Sequence, residues 1–349
     1  MTATTVSGSS GTATPAWELD LGEPVTHLAA LDGGGVVAGG SEGALVAVGA
    51  DGRIVRRLHL GDPLLTLAVS PDGTRLAAGG GNRLALFDLT VDRVLADRRT
   101  RWCGAAAWAA HSRDVVVGDG RRCHLLGREG ELHWTSPELA STVAGLAFLR
   151  PDGRRVAAAA YQGVTLFEPA ADRLVEQLAA PGAIAGLTVS PNGRWVVGGS
   201  QDATLHGWKV PAGGDFRMSG FPTTVSRLAF EPAGRWLACD GGDAVALWDF
   251  SGAGPTGRRA ALAVGHRGPV RALGWLPAAS TTRALVSGDA AGDLALWRLD
   301  ARTAPGDQLR PAWTVRTGDP VEAVTGSADL LISGHRSGTL AARRRPAGA

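Results

Sequence analysis

A hairpin motif that recurs along the chain constrains the fold more than any other feature of the sequence. In four segments, one apolar strand ends, the chain turns at Pro-x-Gly and a second apolar strand begins. These segments start at Ser70, Arg150, Ser190 and Glu231. Such a turn between two apolar runs is typical of a β-hairpin. The same hairpin written four times predicts an all-β repeat fold.

Each hairpin is followed by a third strand that ends in an aromatic residue and by a fourth, more polar strand. A four-stranded unit with a period of roughly 40 to 50 residues is typical of propeller blades. We therefore expect a single closed β-propeller of four-stranded blades, with eight blades favoured and seven as the alternative. The first strands of the units begin near Val25, Leu64, Cys103, Val143, Ile184, Val225, Val270 and Val321.

The two ends of the chain indicate how the ring closes. Trp17 to Leu21 is similar to Trp313 to Thr317, and the last unit offers only three strands of its own. We expect the N-terminal strand to complete the last blade, which leaves no open edge in the ring. The predicted organisation is a disordered leader at 1–15, the propeller at 16–345 and a tail at 346–349.

Several residues give the chain a resemblance to WD40-repeat proteins, over about Trp17 to Arg344. Gly265–His266, Trp248–Asp249 and the Ser- and Gly-rich second strands resemble the signature of that family. The run that begins at Met218 is similar to single-domain bacterial WD40 proteins. Some of those are encoded beside CobW-type metallochaperone GTPases, so the resemblance implies such a GTPase as the first partner to try.

The resemblance also implies a hydrogen-bonded set of a His, a Ser or Thr, a turn Asp and a Trp. In the unit around His266, the positions of Ser287 and Trp297 match, but Ala291 stands where the Asp is expected. Asp202 fits the turn position of an earlier unit, but no His precedes it. We therefore expect stability to come mainly from apolar packing between neighbouring blades.

Composition and charge exclude several classes of partner. The net charge of +2 comes from 35 basic and 33 acidic residues that are mixed along the chain, so no nucleic-acid partner is expected. Cys103, Cys123 and Cys239 are odd in number and lack close-pair spacing, which favours neither disulfides nor zinc and indicates the cytoplasm. No apolar segment approaches membrane-spanning length, so no membrane association is expected.

The innermost strands carry few groups that could perform chemistry. They are almost wholly apolar, and their polar residues are scattered exceptions: His27, Arg227, Arg271 and Glu322. Catalysis requires convergent titratable groups, so we predict no enzyme, no cofactor and no metal. Cys123–His124 with Cys103 is the one cluster that could bind a soft metal, and ordinary core packing explains it better. The alternative from another class is a propeller hydrolase or lyase with a metal at the central mouth.

Recognition of a protein partner is the remaining function, and it leads us to expect a monomeric scaffold or adaptor. Turns between second and third strands should share one rim with the connections from each fourth strand to the next first strand. Exposed aromatic and Arg residues there are the types that dominate binding energy. The predicted partner-binding residues are Arg101, Trp102, Tyr161, Gln162, Gln201, Asp202, Phe221, Asp243, His266, Arg267, His335 and Arg336.

Two inserts, Ser251 to Arg259 and Ala301 to Arg310, lengthen connections between third and fourth strands. Such connections lie on the rim opposite the predicted partner surface. Either insert could be a second docking element, although a tolerated surface insertion explains them better.

Overall fold

The computed structural model describes residues 14–91, 93–211, 213–277 and 283–346. Over these residues the protein is all-β, and its helical elements are two short 3-10 turns at Asp32–Gly34 and Pro169–Ala171. The predicted disordered leader and C-terminal tail fall largely outside the described residues.

The strands are numbered in chain order. Those of the N-terminal half are β1 (Trp17–Asp20), β2 (Val25–Ala30), β3 (Val36–Gly40), β4 (Ala44–Val48), β5 (Ile54–His59), β6 (Leu64–Val69), β7 (Arg75–Gly80), β8 (Arg83–Asp88), β9 (Arg93–Arg99), β10 (Ala106–Trp108), β11 (Asp114–Asp119), β12 (Arg122–Gly127), β13 (Leu132–Thr135), β14 (Gly145–Phe148) and β15 (Val156–Glu168). Those of the C-terminal half are β16 (Arg173–Val189), β17 (Trp195–Ser200), β18 (Leu205–Lys209), β19 (Asp215–Met218), β20 (Leu228–Phe230), β21 (Trp236–Asp240), β22 (Ala244–Asp249), β23 (Ala261–Val264), β24 (Val270–Trp275), β25 (Arg283–Asp289), β26 (Asp293–Leu299), β27 (Gln308–Leu309), β28 (Trp313–Arg316), β29 (Val321–Gly326), β30 (Leu330–His335) and β31 (Thr339–Arg344).

These strands form antiparallel sheets that are arranged as a closed ring. The first strands of successive units contact one another in the order β2, β6, β10, β14, β16, β20, β24 and β29, and β29 contacts β2 again. The sheets are β2–β5, β6–β9, β10–β13, β14–β19, β20–β23 with β27, β24–β26 with β28, and β29–β31 with β1. The prediction of a closed propeller built from four-stranded antiparallel blades is therefore confirmed.

The sequence favoured eight separate blades, and the structure, over the residues it describes, corrects this number to seven sheets. Seven hydrogen-bonded sheets are present in the described parts of the chain, as in the alternative prediction. The units that begin near Val143 and Ile184 share the six-stranded sheet β14–β19. They merge because Tyr161 pairs with Ala183, which carries the hydrogen-bonded ladder of β15 into the inner half of β16.

Burial of the strands follows their position in each sheet. The second and third strands, such as β7 and β8, are buried on both faces, because each sheet is packed between two neighbours. Their near-continuous apolar sequences suit that environment. Fourth strands such as β5 alternate between half-buried and exposed residues, since only one side faces the protein.

The hydrophobic core is divided among the interfaces between consecutive units. Trp134 of one unit packs against Phe167 of the next, with ring centroids 5.2 Å apart. Trp236 and Trp297, both fully buried, belong to one cluster that joins two other consecutive units. Packing between neighbours is thus the main apolar contribution to stability, as expected for a repeat architecture.

The N-terminal strand closes the ring as predicted. β1 is antiparallel to β31, with Trp17 opposite Ala342 and Asp20 opposite Thr339. The indole Nε1 of Trp17 also donates a hydrogen bond to the carbonyl oxygen of Ala50, 3.0 Å away in the neighbouring unit. The two termini therefore share one sheet, and that sheet is tied to the next one.

The second insert, Ala301 to Arg310, contributes a strand to the folded propeller. Within it, β27 pairs in parallel with β23 of the preceding unit, so it adds a fifth strand to that sheet. The carbonyl oxygen of Thr303 accepts a hydrogen bond from Arg235, and Thr303 is buried. This insert covers an exposed sheet edge, which a propeller otherwise leaves open at its circumference.

Candidate partner-binding rim

One face of the ring carries the turns between second and third strands together with the connections from each fourth strand to the next first strand. Backbone hydrogen bonds hold the two kinds of loop together, for example from Trp102 N to Gly81 O (2.6 Å) and from Gln201 N to Ala183 O (3.0 Å). We call this face the upper rim. It comprises residues 21–24, 41–43, 60–63, 81–82, 100–105, 120–121, 136–144, 161–162, 181–183, 201–204, 219–227, 241–243, 265–269, 290–292, 317–320 and 336–338.

In three units, an acidic residue before a proline links two loops of the upper rim by a hydrogen bond. Glu23 Oε1 accepts a hydrogen bond from the backbone N of Ala44 (2.9 Å), and Asp62 Oδ2 accepts one from the backbone N of Asn82 (2.6 Å). Asp319 Oδ2 lies 3.2 Å from the backbone N of Ser337. The sequence prediction missed this role, although the recurring Gly-(Glu/Asp)-Pro motif was a signal that could have revealed it.

A second group of carboxylates stands at the ends of second strands and binds the incoming loop. Asp119 Oδ1 accepts a hydrogen bond from Arg101 N at 2.6 Å. Asp240 binds the backbone N of both Ser226 and Arg227, at 3.0 and 3.1 Å. Burial raises the pKa of Asp240 despite these hydrogen bonds. Carboxylates of this group therefore hold the incoming loop against the end of the second strand through hydrogen bonds.

His266 was predicted to be an exposed rim residue, but it lies in a buried network instead. Its Nε2 lies 2.7 Å from Ser287 Oγ, which also accepts a hydrogen bond from Trp297 Nε1 at 2.7 Å. Its Nδ1 lies 3.3 Å from Asp289 Oδ2. Burial lowers the pKa of His266, against the opposing effect of Asp289. The expectation that Ala291 leaves this set without its Asp was wrong, because Asp289 supplies the carboxylate.

His335 is also buried, in contrast to its predicted exposure at a turn. Its Nε2 lies 2.8 Å from Ser333 Oγ, and its Nδ1 lies 3.2 Å from the carbonyl oxygen of Asp319. Arg343 donates a second hydrogen bond to Ser333 Oγ, at 3.2 Å. Burial lowers the pKa of His335. This network stabilises the sheet formed by β29–β31 and β1, and it leaves the imidazole inaccessible to a partner.

Trp102 and Tyr161 are the most exposed apolar side chains of the predicted rim. Trp102 is 52% exposed and Tyr161 is 49% exposed. Tyr161 and Gln162 line an open concavity of about 650 Å³, together with Gln177, Ala179, Ala180, Pro181 and Gly182. Exposed aromatic side chains beside a concavity are suitable anchors for a protein partner.

Five further predicted residues have different environments. Phe221 is half-buried and packs against Trp248, with ring centroids 6.4 Å apart. Asp202 is exposed and pairs with Arg217 at 2.9 Å, and the hydrogen bond from Thr204 is the main cause that lowers its pKa. The remaining predicted residues Arg101, Gln201 and Asp243 are exposed.

Arg267 and Arg336 are exposed but already hold ion pairs. Arg267 forms a two-point contact with Asp293, at 2.6 and 2.7 Å, which raises the pKa of Arg267. Arg336 binds Glu322 through Nε at 2.9 Å and Nη2 at 2.6 Å. Both remain at the surface, so they can contact a partner without leaving their present positions.

The polar residues of the innermost strands are not scattered, as the sequence suggested, but largely converge at the upper mouth of the ring. Arg227 donates from Nε to the carbonyl oxygen of Arg271 at 2.9 Å. Arg271 Nη1 lies 3.3 Å from Glu322 Oε2, and Glu322 also binds Arg336. These four residues form a continuous chain across three consecutive units, which we call the arginine chain.

The lower mouth differs in character. A concavity of about 440 Å³ lies there between the ends of β10, β14 and β16, and apolar residues dominate its lining. Trp108, Phe148 and Val189 are among those residues. The two mouths therefore offer opposite chemistries, one charged and one apolar.

The cysteines lie in the core. Burial raises the pKa of Cys103 to about 12 and that of Cys123 to about 11, so both thiols stay protonated at neutral pH. His124 is held by Thr135 at 2.9 Å and by Asp119 at 3.1 Å. In the parts of the chain that the structure describes, no group of three or more His, Cys, Asp or Glu side chains is placed to hold a metal ion.

A ring of four-stranded antiparallel sheets that both termini close defines the chain as a β-propeller. The family model described as "WD domain, G-beta repeat" matches residues 173–209, from the outer half of β16 to the end of β18. The match covers one repeat of the chain, and together with the propeller fold it supports a WD40-repeat propeller family.

Comparison with known proteins adds support for the fold alone. No curated protein matches the sequence. Among solved structures, the crystal structure of the computationally designed Ika8 protein is similar, with a TM-score of 0.75 and 19% sequence identity. The similarity covers 93% of this chain and 98% of that one. Among the described residues, no helix has the length and hydrophobicity needed to cross a bilayer.

Proposed function

We propose that this propeller is a non-catalytic scaffold or adaptor that binds partner proteins at its upper rim in the bacterial cytoplasm. The observation that carries the proposal is the exposure of Trp102 and Tyr161 on one face, with Tyr161 beside an open concavity. Large aromatic side chains are costly to leave in water and supply much of the energy of protein interfaces. WD40 propellers commonly act as scaffolds, which agrees with this use.

The revised partner site is smaller than the predicted one. His266 and His335 leave it because both are buried in structural networks. The exposed predicted residues stay in it: Arg101, Trp102, Tyr161, Gln162, Gln201, Asp202, Asp243, Arg267 and Arg336. Phe221 contributes at most its exposed part.

Purification of the tagged protein from its native host, followed by mass spectrometry, tests the proposal. We expect specific partners to copurify with the wild type and to be lost from the Trp102→Ala, Tyr161→Ala double variant. The matched control is Val94→Ala with Leu132→Ala, which removes two similarly exposed apolar side chains from outer strands. Equal recovery of every partner with both double variants would contradict the assignment of the upper rim.

The identity of the partner is a separate matter. The CobW-type metallochaperone GTPase stays a prediction that comes from sequence resemblance. Mixing the two purified proteins with and without GTP, and measuring complex formation by size-exclusion chromatography with light scattering, tests it directly. The same measurement tests our proposal that the free propeller is a monomer. Three buried free cysteines support a reducing compartment such as the cytoplasm.

We also propose that the six-stranded sheet corresponds to two repeat units, so that the ring has eight units in all. Two positive φ angles interrupt its long strands, +70° at Gln162 in β15 and +81° at Gly182 in β16. Positive φ angles also occur at turns between separate strands, for example at Gly43 and Gly73. The angle between successive sheets, measured by crystallography, distinguishes eight units from seven.

A further inference from the structure

We propose that the arginine chain at the upper mouth binds an acidic peptide segment of the protein partner. This inference rests on the proposed scaffold function and specifies the chemistry of the partner. Guanidinium groups recognise carboxylates through pairs of parallel hydrogen bonds, so arginine suits such a ligand better than lysine.

The arginine chain is built from positions that a propeller brings together. Arg271 and Glu322 are each the second residue of a first strand, in β24 and β29. Arg227 directly precedes β20, and Arg336 follows β30 at the turn above Glu322. Backbone and side-chain contacts of 2.6 to 3.3 Å join the four residues in sequence around the mouth. The guanidinium groups are therefore held by the fold and do not depend on a loop that must order upon binding.

Most of the hydrogen-bonding capacity of these arginines is unused. A guanidinium group has five N–H donors. Among the described residues, the contacts use one donor of Arg227, one of Arg271 and two of Arg336. The side chains of Arg271 and Arg336 are 43% and 52% exposed, so the free donors face solvent. A partner carboxylate can reach them without breaking the existing contacts.

Within the arginine chain itself, guanidinium groups outnumber carboxylates. Glu322 is the one carboxylate shared by Arg271 and Arg336. Asp240 is largely committed to the backbone N–H groups of Ser226 and Arg227, and Asp319 binds the backbone of Ser337. Asp243 is exposed on the next turn and offsets part of the charge. Within the arginine chain, three guanidinium groups share one carboxylate, and their unused donors can bind the carboxylates of an acidic segment.

The charge of Arg227 also influences His27, on the first strand β2. The pKa of His27 is lowered to about 4, mainly by burial and secondarily by the positive charge of Arg227. Since β2 and β20 are not neighbours in the ring, Arg227 and His27 stand on different sides of the channel.

The aromatic groups of the same rim indicate what accompanies the acidic residues. Trp102 and Tyr161 offer apolar surface on units that carry no residue of the arginine chain. A peptide that alternates acidic and large apolar side chains would satisfy both kinds of surface. Such a segment can lie across the rim in an extended conformation.

Fluorescence anisotropy with a short labelled peptide of alternating Glu and Leu tests the inference. We expect the wild type to bind it, with an affinity that falls as the salt concentration rises. The same peptide with Gln in place of Glu should bind about tenfold more weakly or not at all. The Arg271→Gln, Arg336→Gln double variant should lose about tenfold in affinity for the Glu peptide, which corresponds to about 1.4 kcal/mol.

The matched control removes two positive charges from the opposite face, through Arg53→Gln and Arg302→Gln on third-to-fourth-strand connections. It should change the affinity by less than about twofold, because charges beyond a Debye length of about 8 Å are screened. The single variant Arg336→Gln, at a half-exposed side chain, replaces the double variant if the latter fails to fold. Circular dichroism establishes the folded state of each variant.

Three outcomes would overturn the inference. One is equal binding of the Glu and Gln peptides, and another is an equal loss of affinity in the control variant. The third is tighter binding of single-stranded DNA through the same arginines, which would indicate a nucleic-acid site. Suppose that the Glu peptide fails to bind while recovery of host partners still depends on Trp102 and Tyr161. That result would reject the acidic ligand but leave the proposed scaffold function intact.

Discussion

The carboxylate of Asp289 lies 3.3 Å from Nδ1 of His266, and neither side chain has any exposed surface. The same carboxylate accepts hydrogen bonds from four backbone amides, at 2.7 to 3.0 Å: those of Arg267, Gly268, Ala291 and Asp293. Asp289 therefore joins two loops of the upper rim to the buried His266–Ser287–Trp297 network.

Replacement of Asp289 by Ala should lower the free energy of unfolding by about 3 kcal/mol, because buried amides would lose their acceptor. Asp289→Asn should cost less, since the amide oxygen can still accept part of these hydrogen bonds. Urea denaturation followed by tryptophan fluorescence measures both changes. The control Asp243→Ala, at an exposed carboxylate of the same rim, should change stability by less than about 0.5 kcal/mol. Similar stability of the two Ala variants would contradict the role of Asp289.

The stability of the protein should fall as the pH is lowered from neutral towards 4. His27 has a pKa of about 4 in the folded chain and an ordinary value of 6.5, so the unfolded state binds a proton first. The stabilisation is complete above pH 6.5 and is lost as the pH falls from there to about 4, by about 1.4 kcal/mol for each pKa unit.

The variant His27→Gln isolates this contribution, because the amide can still bond to Thr26. Its urea midpoint should depend less on pH than that of the wild type. His59→Gln, on the outer strand β5, serves as the matched His-to-Gln substitution outside the core. A wild-type profile in the His27 variant would show that another group causes the acid sensitivity.

Removal of the N-terminal strand should open the ring. A chain that begins after Asp20 lacks β1, so β31 loses its backbone partners and Trp17 no longer binds Ala50. We expect a lower thermal midpoint and concentration-dependent association through the freed edge of β31. A chain that begins at Thr14 retains every described contact of β1 and is the control. Identical thermal midpoints for the two chains would refute closure by this strand.

Hydrogen exchange should reveal the protection that the second insert gives to β23. The amide of Leu262 donates to the carbonyl oxygen of Asp307 at 2.8 Å, across the added parallel pair. When residues 301–310 are replaced by a short Gly-rich turn, the exchange rate of this amide should rise markedly. The amides of β21, in the interior of the same sheet, should keep their rates and provide the internal control. Unchanged exchange at Leu262 would show that the insert does not protect this edge.

Features that depend on short stretches of chain were predictable from the sequence. The Pro-x-Gly turns at Pro71, Pro151 and Pro191 set the hairpins, because turn geometry is decided by a few adjacent residues. The likeness of Trp17 to Trp313 predicted the closing strand, which β1 confirms.

The features that the sequence did not reveal depend on residues that meet only in the closed ring. Tyr161 and Ala183 join two units in one sheet, and no local pattern announces that pairing. Asp289 was overlooked because its partner His266 lies on another loop, and counting along the chain placed the expected Asp two residues later. The burial of His335 likewise follows from the network around Ser333.

The amino-acid sequence by itself determined the repeating four-stranded unit, the all-β class and the closure of the ring by its two ends. These follow from hydrophobic periodicity and turn chemistry, which act over a few residues and are repeated in each unit. Only the tertiary structure decided which rim residues are buried, how the sheets are joined, and that Arg227, Arg271, Glu322 and Arg336 form one chain. Those outcomes depend on distances between separate units, and closure of the ring around its axis sets those distances.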